Sequence, residues 1–177
     1  MDLWELNKFS DEYKGNKVRH GLRCRYSTGI DEGLKQIIMN FAEWIRDRFS
    51  FPMRVVVYFK AEEHIIARDK EKVDGIFCGP YDPMLEPYIK IACGKYSDSL
   101  NQKEAAFEIT SILTSLAHEI THYYQWLNRL ELSYRREEYQ ATWYSHRIVD
   151  EYMYDVINEK DSCPELKSII NGIIEFC

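Results

Sequence analysis

No run in this chain of 177 residues is apolar for long enough to cross a bilayer, and residues 1–5 lack the basic-then-apolar order of a secretory leader. A cytoplasmic location is expected. No two of the five cysteines, Cys24, Cys78, Cys93, Cys163 and Cys177, stand at CxxC spacing, so local sequence builds neither a zinc ribbon nor a thioredoxin-like centre. An odd, scattered set of this kind reads as reduced thiols without chemistry. Basic residues are in the minority, 23 against 29 acidic, and the formal charge of -6 disfavours broad capture of nucleic acid or anionic membrane. There is no internal repeat or low-complexity stretch. What remains is ordinary globular composition, 45% hydrophobic and 14% aromatic, enough for one core.

Residues 1–26 mix aromatics with charges at no sustained period and read as an irregular N-terminal segment, leaving 27–177 as a single domain. Thr28, with Asp31 three residues on, resembles a capping box. Leu34, Ile37, Ile38, Phe41, Ile45 and Phe49 then recur at helical steps, so a helix is expected over about 30–49, ended by Pro52. The valine-rich stretch 53–59 suits a strand buried on both faces. Residues 60–74 read as a charged surface connection, 75–78 as a short strand before Gly79-Pro80, and 88–93 as an alternating strand that Pro87 favours at a sheet edge. Asn101 and Glu104 open a long helix to about 129, a further helix covers about 133–157, and Ser162, Pro164 and Glu165 mark a last short one. The order is α+β, with a small sheet of two or three strands.

The long helix carries His118-Glu119-Ile120-Thr121-His122, an HExxH pattern. Four residues advance a helix by about 400°, so both imidazoles leave one face a turn apart and can converge on one Zn2+. Glu119 beside them is placed to take a proton from a metal-activated water. The core stripe Ile109, Ile112, Leu113, Leu116, Ile120, Tyr123 and Leu127 lies away from His118, and Ser111 and Ser115 leave a groove of small side chains on the histidine face.

Catalytic zinc normally takes three protein ligands. The metzincin spacing is absent, since residue 125 is Gln and residue 128 is Asn. If the chain reverses near Leu130, His122 and Glu138 stand equally far from the turn and face each other across an antiparallel helix pair. Glu138 also shares a stripe with Tyr134, Ala141, Ser145, Ile148 and Tyr152, whereas Glu137 sits with Ser133, Gln140, Tyr144 and Glu151. Glu138 is therefore the favoured third ligand.

Together these residues resemble the gluzincin metallopeptidases, in which a glutamate on a second helix completes an HExxH site; Glu138 to Ala141 is similar to their ExxA version. The likeness runs over roughly residues 30–157 in element order and is nearest to the compact minigluzincins. It implies a zincin-like fold, zinc on His118, His122 and Glu138, and Glu119 as general base and acid for peptide-bond hydrolysis. Several gluzincins orient a zinc-binding histidine with an aspartate four residues after the glutamate, where this chain has Thr142. The strand 88–93 resembles the upper-rim strand that pairs with an extended substrate. For the oxyanion, His146, Tyr144, Tyr152 or Arg147 are candidate donors, His146 first. The implied partner is a peptide or protein substrate, with one intracellular protein as a narrower possibility. The competing reading is a zincin-like binding or regulatory protein without turnover.

Overall fold

A computed structural model describes residues 3–5, 19–82, 85–97 and 100–158. After a 3-10 turn at Leu3–Glu5 come β1 (Leu22–Tyr26), α1 (Glu32–Arg48), β2 (Val55–Lys60), β3 (Ile65–Ile66), β4 (Lys72–Val73), β5 (Gly75–Cys78), β6 (Tyr88–Ala92), α2 (Gln102–Leu127) and α3 (Tyr134–Asn158). Class α+β holds, with three helices among the described residues, a mixed sheet in the order β1-β2-β6-β5 and a two-stranded hairpin β3-β4.

Two strands depart from the sequence reading. Leu22–Tyr26, assigned to the irregular N-terminal segment, is the outermost strand β1, parallel to β2. It alternates strictly: Leu22, Cys24 and Tyr26 turn inward while Arg23 and Arg25 remain exposed, a pattern an edge strand tolerates. Arg46 of α1 donates from Nε to the Leu22 carbonyl at 3.0 Å. The strand within 88–93 is not an edge: β6 lies between β2, parallel to it, and β5, antiparallel to it. Pro87 precedes the strand, so its missing N–H falls outside the ladder, and its carbonyl accepts from Val56 N at 3.3 Å. The edge next to β6 is β5.

Residues 60–74, read as a connection, hold the hairpin β3-β4, turned at Lys70 with φ 74°. Helix α1 is capped by Asp31 itself, whose side chain accepts from Leu34 N at 2.7 Å, rather than by Thr28. Asn101 and Glu104 form the reciprocal capping box expected of them at the start of α2. The short helix expected at Ser162, Pro164 and Glu165 lies outside the described residues.

Helices cover one face of the sheet. Leu22, Val55, Val57, Phe59, Ile89 and Ile91 pack into a single core with the apolar stripes of α1, α2 and α3. Tyr58, Lys60, Tyr88 and Lys90, pointing the other way, are only half-buried. Helix α2 is fastened to the chain before β2 by two phenols, Tyr123 donating to the Met53 carbonyl and Tyr124 to the Ser50 carbonyl, each at 2.7 Å. On the far side, Phe41 and Tyr152 bring α1 and α3 to 4.8 Å between rings, and Trp44 and Arg48 both bond Asp155. These ties hold α2 between β5 and α3, which is where the site forms.

Candidate metal centre

At 100° per residue, His118 and His122 project from nearly the same side of α2, and Glu119 projects to the flank. The structure turns the imidazoles toward α3 and packs Glu119 against β5. The chain reverses after α2 in a Schellman turn: Leu130 N donates to the Gln125 carbonyl and Arg129 N to that of Trp126, with Arg129 left-handed at φ 49°. That reversal sets α3 antiparallel on α2 and brings Glu138 opposite the histidines. Ala141, fully buried one turn beyond, allows the helices to approach.

The three donors form a tight triangle. His118 Nε2 and His122 Nε2 are 3.1 Å apart, His118 Nε2 is 3.4 Å from Glu138 Oε2, and His122 Nε2 is 3.4 Å from Glu138 Oε1. Donors bound at 2.0–2.2 Å in tetrahedral geometry are separated by about 3.3–3.6 Å along each edge. The triangle is thus close to one face of such a tetrahedron, and His118, His122 and Glu138 are a group that could hold a metal ion.

Burial sets the electrostatics. The pKa of His118 is lowered by desolvation and then by His122, with Glu138 opposing and His146 adding a little. A nitrogen kept unprotonated is a nitrogen free to ligate. Glu119, with 7% exposure, has its carboxyl pushed up to about 8 by burial and then by Glu138, while the Phe77 backbone N–H, which bonds it, pulls the other way. The carboxyl fits there because residue 75 is glycine: a Cβ at that point would stand 2.8 Å from Glu119 Oε1 and 3.0 Å from its Cγ.

A cleft of about 1060 Å3 opens over these groups, bounded by β5 on the Glu119 side and by the start of α3 on the other. Gly75 and Phe77 line it, and because the Asp74 carbonyl accepts from Ala92 N of β6, the alternation of the ladder turns the backbone polar groups of Gly75 and Phe77 away from β6. Tyr134, read as part of an inward stripe, is 77% exposed and borders the cleft, since it begins α3 beyond the reach of α2. Of the oxyanion candidates, Tyr144 and Tyr152 are buried in the core and Arg147 is engaged with Glu151 and the Trp143 ring. His146 is exposed on α3 within electrostatic range of His118 but is not among the residues that line the cleft. Loss of solvent around the buried Cys93 and the partly buried Cys24 makes both hold their protons more firmly than free thiols.

Sequence reasoning missed Gln125. Its side chain meets His122 Nδ1 at 2.7 Å, one helical turn along α2, while Thr142 is exposed. Spacing of three from His122 was the available signal, but the residues that orient the amide lie on another helix. No known protein family, curated protein or solved structure matches this chain.

Proposed function

We propose that the protein is a small zinc-dependent metallopeptidase of gluzincin type, built on a zincin-like fold. The observation that carries this is the donor triangle of 3.1, 3.4 and 3.4 Å with a buried glutamate beside it, facing an open cleft. Two imidazoles and one carboxylate with an open fourth position suit catalytic zinc, whereas calcium and magnesium favour all-oxygen sets. Bound there, the cation supplies a Lewis acid that polarises the scissile carbonyl and brings a water's pKa toward neutrality.

The remaining steps belong to the chain. Glu119 takes a proton from the attacking water and returns it to the departing amine; its raised pKa makes both transfers accessible near neutral pH. The edge of β5, rather than 88–93, presents backbone groups to which an extended peptide adds as a further strand. Tyr134, bordering the cleft where His146 does not, is the better-placed donor to the developing oxyanion. The competing reading, a non-catalytic binding protein, drew on Thr142 standing where an orienting aspartate was wanted. Gln125 occupies His122 in that capacity, which weakens its motive.

Protein produced with ample zinc should contain about one zinc per chain and cleave members of a broad peptide library. Glu119→Gln should keep the metal and lose the cleavage. Folded protein without zinc, or cleavage indifferent to Glu119→Gln, would overturn the assignment.

A further inference from the structure

Gln125 is buried, 4% exposed, and every polar atom of its carboxamide is engaged. Its Nε2 donates to the Glu137 carbonyl at 3.0 Å and to Gln140 Oε1 at 3.0 Å, and its Oε1 meets His122 Nδ1 at 2.7 Å. These bonds leave little freedom of assignment. A backbone carbonyl only accepts, so the amide nitrogen must face Glu137 and the amide oxygen must face His122. An amide oxygen only accepts as well, so Nδ1 of His122 must carry the proton. Nε2, the nitrogen that faces His118 and Glu138, is then left with a free lone pair.

The same amide reaches the other half of the site. Glu137, whose carbonyl it holds, immediately precedes Glu138 in the first turn of α3, and Gln140 follows two residues later. The first carbonyls of a helix bond forward within it, so an additional side-chain donor at Glu137 ties that turn to α2 rather than merely satisfying it.

We propose that Gln125 is a positioning residue: one carboxamide selects the ligating tautomer of His122 and, through the Glu137 carbonyl and Gln140, holds the α3 turn that carries Glu138 beside the two histidines. Its consequence for metal affinity rests on the metal-centre reading above; its consequence for the tautomer does not. A purely structural clamp between α2 and α3 would leave the tautomer of His122 unchanged when the amide is removed.

The test uses the full chain with 15N-labelled histidine, stripped of metal by a chelator and held at alkaline pH, with the tautomer of His122 read from its ring 15N shifts. The intact protein should show Nδ1–H. Gln125→Leu, nearly isosteric but without polar atoms, should move His122 toward Nε2–H. Gln125→Glu, which still accepts from Nδ1–H, should restore the native tautomer, and it keeps the question decidable if the leucine variant does not fold. Zinc titrated against a competing chelator should bind about 10–100-fold more weakly to Gln125→Leu, with Gln125→Glu recovering part of the loss. Retention of the Nδ1–H tautomer in Gln125→Leu, or native zinc affinity in that variant, overturns the proposal. If the intact protein takes up no zinc, the metal-centre reading fails by itself and the 15N shifts still decide what Gln125 does.

Discussion

Replacing Glu119 by Gln should make the metal-free protein more stable, and increasingly so as pH rises. The side chain is 7% exposed, and its carboxyl is pushed up to about 8 by burial first and Glu138 second, from an ordinary 4.5 that serves for the unfolded chain. Below pH 4.5 the group is protonated in both states and leaves the balance unchanged. Between 4.5 and about 8 the unfolded chain has released a proton that the folded protein retains, so stability declines with rising pH. Above about 8 both states are ionised and the decline is complete. At about 1.4 kcal/mol per pH decade the full effect is about 5 kcal/mol, an upper figure because neighbours relax and water enters around a buried charge. Glutamine keeps the shape and an acceptor for the Phe77 N–H but never ionises. Its amide nitrogen must find a partner, which removes part of the gain and leaves about 2–4 kcal/mol in mild alkali. Urea unfolding of chelator-treated protein from acid to alkali measures this directly. Parallel stability curves for the two proteins, or a less stable Glu119→Gln in alkali, would refute the reasoning. Metal restored to the site should shrink the difference, since a nearby cation favours the carboxylate.

Glu138→Ala should weaken zinc binding by more than about 100-fold in a chelator competition, because loss of an orienting partner alone costs 10–100-fold; the half-exposed side chain contributes little to the fold, so the unfolding midpoint of the metal-free protein should hardly move. Gly75→Ala puts a methyl 2.8 Å from Glu119 Oε1 and 3.1 Å from Ile91 Cδ1; it should cost about 1–3 kcal/mol in unfolding and depress hydrolysis while zinc content is unchanged. Arg129→Gly relieves the left-handed residue of the Schellman turn, and since a non-glycine there costs about 1–2 kcal/mol against 0.5–1 kcal/mol of chain entropy for glycine, thermal unfolding should rise by a few degrees at most.

The parts of the site that were legible from sequence are those fixed by a single element or a single turn. His118, Glu119 and His122 lie on one helix whose capping box and apolar stripe announce it, and Glu138 follows from counting outward from Leu130. Strand β1 was not legible because five residues with two arginines carry no net apolar signal; only pairing with β2 makes their alternation meaningful. The order of strands was misread at 88–93 because Pro87 marks a missing donor and does not say on which side of the strand a neighbour lies. Gln125 escaped notice for a similar reason: its bond to His122 is local, but its orientation is dictated by the Glu137 carbonyl, which lies twelve residues on and on another helix.

The division of labour between the two carboxylates follows from the angular spacing on α2. Glu119 lies on the flank that meets β5, where Gly75 removes the Cβ that would exclude it and the Phe77 N–H fixes one of its oxygens. Glu138 arrives from the opposite side on α3, with one oxygen toward each imidazole and 39% of its side chain open to solvent. A buried carboxyl that exchanges a proton near neutrality suits proton transfer, and an exposed one bridging two imidazoles suits ligation. Glu119 and the outer edge of β5 line the same wall of the cleft, so on the proposed reading a peptide added along that strand would run beside the base. On the proposed peptidase reading, the strand that would orient a substrate and the residue that would move the proton form one structural unit, so a change that shifts β5 should impair both together while leaving His118, His122 and Glu138 in place.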